Sequence, residues 1–251
     1  MITGIIDIGN TTLKAGVFED GQIARSLCTV RVEDFNDFFC GIEKMLVASV
    51  AGISDEVRSA VLQILPSSKI IFWDKPVSAL KLPFSIDSER LKTTGVDRLA
   101  IAAGAAAQYP KRNVLCIALG TCVTYNFISS DTVFKPGAIS AGLSMRLRAM
   151  NNDAPALPLV HAADYADILP LDSGSVIDTP ISMLHGSVNG LWYEMLGYIN
   201  EYSTQYNNLT VLITGGDLVY YKKYVSGISR IFATPNLVLQ GFNEILQYNN
   251  F

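Results

Sequence analysis

Two stretches of this chain repeat one another in kind. Residues 2 to 8 form an apolar run, Gly9-Asn10 a turn and Thr11 to Phe18 a second β-rich run. Glu19-Asp20-Gly21 is another turn and Gln22 to Val32 a third run. The pattern returns about 110 residues later, and self-similarity of that kind marks an internal duplication. Its second copy comprises Val114 to Leu119, the turn Gly120-Thr121, Val123 to Ile128, the turn Ser129-Ser130-Asp131 and Thr132 to Ser140. Buried or alternating apolar runs bounded by Gly, Asn, Asp and Ser predict strands, so each copy is a three-stranded meander. A helix is expected after each, over about 35 to 49 with Asp34 as N-cap and over Leu143 to Met150. The chain is therefore expected to be α/β with two halves of one topology, 1–112 and 113–251, joined near Pro110 to Asn113.

The rest of the chain fills in around that repeat. Arg58 to Gln63 reads as a short strand and Lys69 to Trp73 as another, while Pro76 to Thr94 lacks a period and reads as a surface loop. Leu99 to Gln108 is a strong helical pattern stopped at Pro110, which places Asp97 and Arg98 in its first turn. Asn151 to Asp178 is expected to be a long loop or short helices, and Ile181 to about Glu201 a long helix. Leu209 to Thr214 is a buried strand running into Gly215-Gly216, where a flat ring or a phosphate can approach the backbone. A last strand over Ile228 to Ala233 and a helix from Pro235-Asn236 to about Tyr248 close the pattern.

Composition narrows the function classes. With 251 residues, 49% of them hydrophobic and 17% charged, the chain can bury substantial cores. It shows no apolar run of membrane-spanning length and no leader pattern, so a cytoplasmic location is expected. A net charge of −4 without a basic stripe argues against nucleic-acid binding. Cys28, Cys40, Cys116 and Cys122 have no CxxC spacing and His161 and His185 stand apart, which leaves no framework for a zinc cage. Tyr220-Tyr221 and Trp192-Tyr193 read as packing or interface residues, and Met145 to Arg148 as a helix with a solvated basic side rather than a phosphate site, with Arg146 able to face the cleft.

The first turn is equipped to meet a phosphate. Gly9 permits close approach, Asn10, Thr11 and Thr12 carry polar donors, Lys14 brings a compact charge, and Asp7 at the strand end is able to hold a hydrated Mg2+. An ordinary hairpin with a polar turn accounts for the same residues, and spacing alone does not separate the two.

Duplicated meander-plus-helix halves with such turns resemble the actin, Hsp70 and sugar-kinase superfamily, whose halves are RNase H-like folds with mixed five-stranded sheets flanked by helices. A closer resemblance lies in Asp7-Ile8-Gly9-Asn10-Thr11, Gly95-Val96-Asp97-Arg98, Gly120-Thr121, Gly137 to Gly142, Asp178-Thr179, Thr214-Gly215-Gly216 and Leu237 to Phe242. In order and spacing these are similar to type III pantothenate kinases. The resemblance implies ATP-dependent phosphorylation of pantothenate at the start of coenzyme A synthesis. It implies that the loop Asp7, Ile8, Gly9, Asn10, Thr11, Thr12, Leu13 and Lys14 binds ATP phosphates with Mg2+, together with Gly120, Thr121, Gly215 and Gly216. It further implies that Gly95, Val96, Asp97 and Arg98 bind pantothenate with Asp97 as general base, that Thr179 reaches the substrate across a homodimer interface, and that the ATP site lies in a cleft shared by the halves.

Two positions depart from that pattern. The family's second phosphate motif carries an Asp associated with a monovalent cation, K+ or NH4+, where this chain has Ala118. A methyl group coordinates no cation, so a replacement ligand, cation independence and impaired catalysis stay open, as does a regulatory or transcription-accessory binder as the alternative function. Ser88 stands where the family often places a tyrosine over the substrate. A chaperone-like ATPase is disfavoured, because no peptide-binding region follows the nucleotide-binding halves.

Overall fold

The structure is a computed structural model, and it describes residues 1–28, 31–74, 80–169, 172, 174, 177–226 and 228–249. The chain divides into two compact units. One comprises residues from Met1 to Lys111 together with Ile128–Pro136 and the segment from Asn236 onward, and the other Arg112–Phe127 and Gly137–Pro235. The helix after Asn236 thus groups with the first unit, although it follows the second in sequence. Residues Ile128–Pro136 group with the first unit in the same way.

In the first unit β1 (Ile2–Ile8), β2 (Leu13–Glu19) and β3 (Gln22–Cys28) form the antiparallel meander, and β4 (Lys44–Ser49) and β5 (Ile70–Trp73) extend it in parallel, in the order β3-β2-β1-β4-β5. The short α1 (Phe35–Phe38) and α2 (Asp55–Ile64) cover one face, where Ile6, Val17, Phe35, Phe39, Met45, Val47, Val57 and Val61 pack together. On the other face lies α4 (Val96–Gln108), which follows α3 (Ser88–Thr93), and α9 (Leu237–Tyr248) packs against α4, β1, β2 and β4. Alternation along β1 sends Thr3, Ile5 and Asp7 to this second face. Thr3 Oγ1 donates to Asn243 Oδ1 of α9 at 2.6 Å in the core. Gly241 and Gly104 let α9 and α4 touch backbone to backbone, for a Cβ on Gly241 would stand 1.7 Å from the Ala100 carbonyl oxygen.

Two expectations for this unit are corrected. The helix over 35 to 49 ends at Phe38, Gly41 turns the chain at φ +82°, and Met45 to Ser49 belong to β4. That strand is buried on both faces, so its continuous apolar run carries no period to distinguish it from a helix. The strand expected over Arg58 to Gln63 is part of α2, capped by Ser54, whose hydroxyl accepts from the Val57 N–H at 3.3 Å. Val57 and Val61, four residues apart, form its buried stripe. The loop expected over Pro76 to Thr94 falls partly outside the described residues and ends in α3, which Asp87 caps.

The second unit repeats the topology. β6 (Val114–Leu119), β7 (Cys122–Ile128) and β8 (Phe134–Ala141) form its meander, β9 (Thr210–Thr214) pairs in parallel with β6, and β10 (Ile231–Ala233) with β9, in the order β10-β9-β6-β7-β8. Each sheet thus reads third, second, first, fourth, fifth strand, and the fold is the α/β, actin-like architecture expected. The helices are α5 (Leu143–Asp153), α6 (Thr179–Leu184), α7 (Gly190–Gln205) and α8 (Leu218–Val225). One π-helical turn, His185–Asn189, joins α6 to α7, so the expected long helix is continuous but widened at Gly186. Tyr221 Oη donates to the Val188 carbonyl of that turn at 3.2 Å. Sequence reading did not anticipate α8. No helix among the described residues is long and apolar enough to cross a membrane.

Candidate active site

In the first unit Asp7 sits one residue before the end of β1, directly across from Lys14 of β2. The turn between them closes with the Gly9 N–H donating to the Thr12 carbonyl at 3.0 Å, and Asn10, Thr11 and Thr12 are exposed on it. Ile8 and Leu13 pair at its base. Gly95 precedes α4 with ordinary extended angles, so its role is spatial: a Cβ there would lie 2.5 Å from Asp97 Oδ1. The Asp97 carboxylate folds back over the helix start, where Oδ1 accepts from the Arg98 N–H at 2.8 Å. Val96 and the Arg98 side chain are buried.

The electrostatics tie these groups together. Asp7 is 7% exposed, and burial pushes its carboxyl up to about 6, opposed by Lys14 and assisted by Asp97. Burial also raises Asp97, against the Arg98 N–H, the Arg98 guanidinium and Lys14. One buried and one half-buried carboxylate in range of one ammonium form a donor set suited to a cation and a phosphate, with one carboxylate left as a proton acceptor. Because the Asp7 pKa in the folded chain lies above its unfolded value, the stability it contributes is complete below about pH 4 and is lost as pH rises through about 6. Asp7→Asn is therefore expected to raise the stability of the ligand-free protein at pH 7, on the order of 2 kcal/mol. Thermal melts of both proteins at pH 5 and pH 7 check this, and the gain should be roughly half as large at pH 5.

In the second unit three glycine-bearing corners meet at the ends of β6, β8 and β9. The Gly120 N–H donates to the Cys122 carbonyl at 3.1 Å, and the Gly142 N–H to the Thr121 carbonyl at 3.1 Å. A Cβ on Gly142 would fall 2.0 Å from the Gly120 oxygen, and one on Gly215, at φ +104°, would fall 2.0 Å from the Leu119 oxygen. Asp217, absent from the sequence-based site, closes the arrangement: its N–H donates to the Leu119 carbonyl at 3.2 Å, and its carboxylate accepts from the Leu143 N–H. Burial pushes Asp217 up to about 6 against that bond. The signal was its place directly after Gly215-Gly216. Thr179 is exposed in the first turn of α6, which Asp178 caps by accepting from the Ile181 N–H at 2.9 Å. Ser88 is exposed at the start of α3.

The family model for type III pantothenate kinase matches residues 5–201. A type III pantothenate kinase of Christiangramia forsetii is 33% identical over 251 residues, covering 98% of both chains, and one of Bacteroides fragilis is 36% identical over 255 residues, again covering 98% of both. The chain belongs to the type III pantothenate kinase family. Among solved structures, a ROK-family glucokinase of Streptomyces griseus in complex with glucose and AMPPNP shares the fold at a TM-score of 0.51 and 13% identity, covering 100% of this chain and 99% of its own. An activator of 2-hydroxyisocaproyl-CoA dehydratase from Clostridium difficile, with bound ADPNP, does so at 0.51 and 14%, covering 99% and 94%.

The type III kinase pattern sets the question at Ala118. It is paired in register with Thr214, whose buried Oγ1 makes no hydrogen bond. Side chains at paired positions of parallel strands share a face, so the place of the family's carboxylate offers one methyl group and one hydroxyl. That pair does not suit K+, which takes several oxygen ligands. For Mg2+ the fit is better, since Asp7 offers a carboxylate at the strand end whose burial-raised pKa is partly offset by Lys14.

Proposed function

We propose that the chain transfers the γ-phosphoryl group of ATP to the primary hydroxyl of pantothenate. The observation that carries this is Asp97, a half-buried carboxylate of raised pKa at the start of α4, within electrostatic range of Asp7 and Lys14 beside the polar turn. Asp97 accepts the hydroxyl proton as the acceptor oxygen bonds to phosphorus and the bond to the β-phosphate oxygen breaks, leaving ADP. Gly95, Val96 and Arg98 line the acceptor side. Lys14 and the polar groups of Gly9, Asn10, Thr11 and Thr12 take the phosphates, as do Gly120 and Thr121, while Gly215 and Gly216 give the nucleotide a flat approach. Mg2+, held through water by Asp7, would neutralise phosphate charge. Positioning and electrostatics supply most of the rate in such a transfer.

The test is phosphate transfer from labelled ATP to pantothenate in Mg2+, with and without K+ or NH4+. Phosphopantothenate is expected to form at a rate insensitive to either cation, because Ala118 offers no carboxylate. Failure to form product defeats the proposal, and strong K+ activation defeats the account of Ala118.

We further propose a homodimer in which Thr179 of one protomer contacts pantothenate held by its partner. It is supported by Tyr193 at 61% and Leu196 at 37% exposure on the otherwise core-forming α7. Sedimentation at micromolar concentration should give twice the chain mass, and a monomer would contradict it.

A further inference from the structure

The carboxylate of Glu194, on α7, gathers donors from three other elements of the second unit. Its Oε1 accepts from Tyr125 Oη of β7 at 2.8 Å and from Ser140 Oγ of β8 at 2.6 Å, and its Oε2 pairs with Arg146 Nη2 of α5. Arg146 in turn donates through Nε to the Ala141 carbonyl at 2.8 Å. Burial alone would push Glu194 up, but the donors of Ser140, Arg146 and Tyr125 outweigh it and hold the carboxyl below its ordinary value. It is therefore a charged hub with both oxygens engaged, on a helix whose other inward residues are apolar.

What the hub grips is informative. Ser140 and Ala141 end β8, Arg146 stands in the first turns of α5, and between them lies Gly142, the residue pressed against the Gly120-Thr121 turn. Glu194 thus holds both arms of the corner whose apex touches that turn. On the far side the corner is fixed by the Asp217 carboxylate at the Leu143 N–H. Without the hub, this side of the corner keeps the Arg146 bond to the Ala141 carbonyl but loses its anchor to α7, while the other side stays tied.

We propose that Glu194 is a positioning residue for the nucleotide, fixing the Gly142 corner so that the Gly120-Thr121 turn presents its backbone to phosphate. The inference rests on that turn being a phosphate site. It is tested on the full chain by ATP protection of Cys122, an exposed thiol directly after the turn, against iodoacetamide, with exposed Cys28 and Cys40 as internal references. Wild-type Cys122 should be protected by Mg-ATP while Cys28 and Cys40 are not.

Glu194→Ala should raise both the half-protecting ATP concentration and the KM for ATP about tenfold, leaving the KM for pantothenate within about twofold. Glu194→Gln keeps an acceptor for Tyr125 and Ser140 but no charge for Arg146, and should rescue about half of the loss on a logarithmic scale. Ser140→Ala removes one donor alone and, as a milder change, should raise the KM for ATP about threefold. The inference is overturned if wild-type Cys122 is protected yet the half-protecting concentration is unchanged in these variants, or if both KM values rise together. Lack of wild-type protection overturns the phosphate reading of the turn, and the inference with it.

Discussion

Asp97→Asn is expected to lower kcat for phosphoryl transfer to pantothenate by about a thousandfold, with the affinity for Mg-ATP changed by less than about threefold. The asymmetry follows from what the substitution preserves. Asparagine keeps an Oδ1 able to accept from the Arg98 N–H, the bond made at 2.8 Å, so the start of α4 holds its shape. It loses the negative charge and with it the capacity to take a proton. Asp7→Asn should show the opposite division, weakening Mg-nucleotide binding while Asp97 remains in place. Isothermal titration of ATP with Mg2+ beside single-turnover transfer separates the two, and equal loss of nucleotide affinity in both variants would mean that the roles are wrongly divided. In the wild type both carboxylates must be ionised, so kcat/KM for ATP should fall as pH falls through about 6, the value to which burial carries Asp7.

Gly241→Ala is the second large effect expected, and it lies outside the site. The added methyl would stand 1.7 Å from the Ala100 carbonyl oxygen and 3.0 Å from the Gly104 nitrogen, both backbone atoms of α4 that cannot step aside singly. Alanine gains up to about 1 kcal/mol of helix propensity, but the forced separation of two packed helices should cost about 3 kcal/mol or more. For a chain of this size the midpoint of thermal unfolding should fall by roughly 6–12 °C. Activity should fall as well, because α4 carries Asp97 at its first turn. Gly197→Ala on α7 is the control: its Cβ meets nothing within 4 Å, so that variant should melt at or slightly above the wild-type midpoint.

These two positions also show what a sequence makes legible. The strand-turn-strand core of each unit was readable because breakers such as Gly120-Thr121 and Pro110 bracket its runs, and Asp97 was readable because a helix start follows Gly95. β4 was not, since a strand covered on both faces loses the alternation that names it. α2 was missed because its valines suggest a strand unless Ser54 is recognised as a cap. Gly142 and Gly241 stood in resembling motifs, yet their reason, contact with the backbone of Gly120 and of Ala100, spans separations no local pattern encodes. The same holds for Glu194, whose partners Tyr125, Ser140 and Arg146 lie 69, 54 and 48 residues away. An acid set directly between Trp192-Tyr193 and Met195-Leu196 was the one local sign of it.

The return of α9 to the first unit sets a timetable for biosynthesis. Asp97 and α4 leave the ribosome early, but the helix that clamps them follows the whole second unit. At about 5–20 residues per second, the roughly 140 codons between Asp97 and Asn236 take on the order of 10–30 s to translate. During that interval the face of α4 around Ala100 and Gly104 has no partner to cover it, and the emerging meander of the first unit lacks one of its layers. Translation that stalls anywhere in the second unit therefore yields a chain that carries Asp97 yet lacks the helix that packs α4 in place, so an unfinished product is expected to be an inactive one.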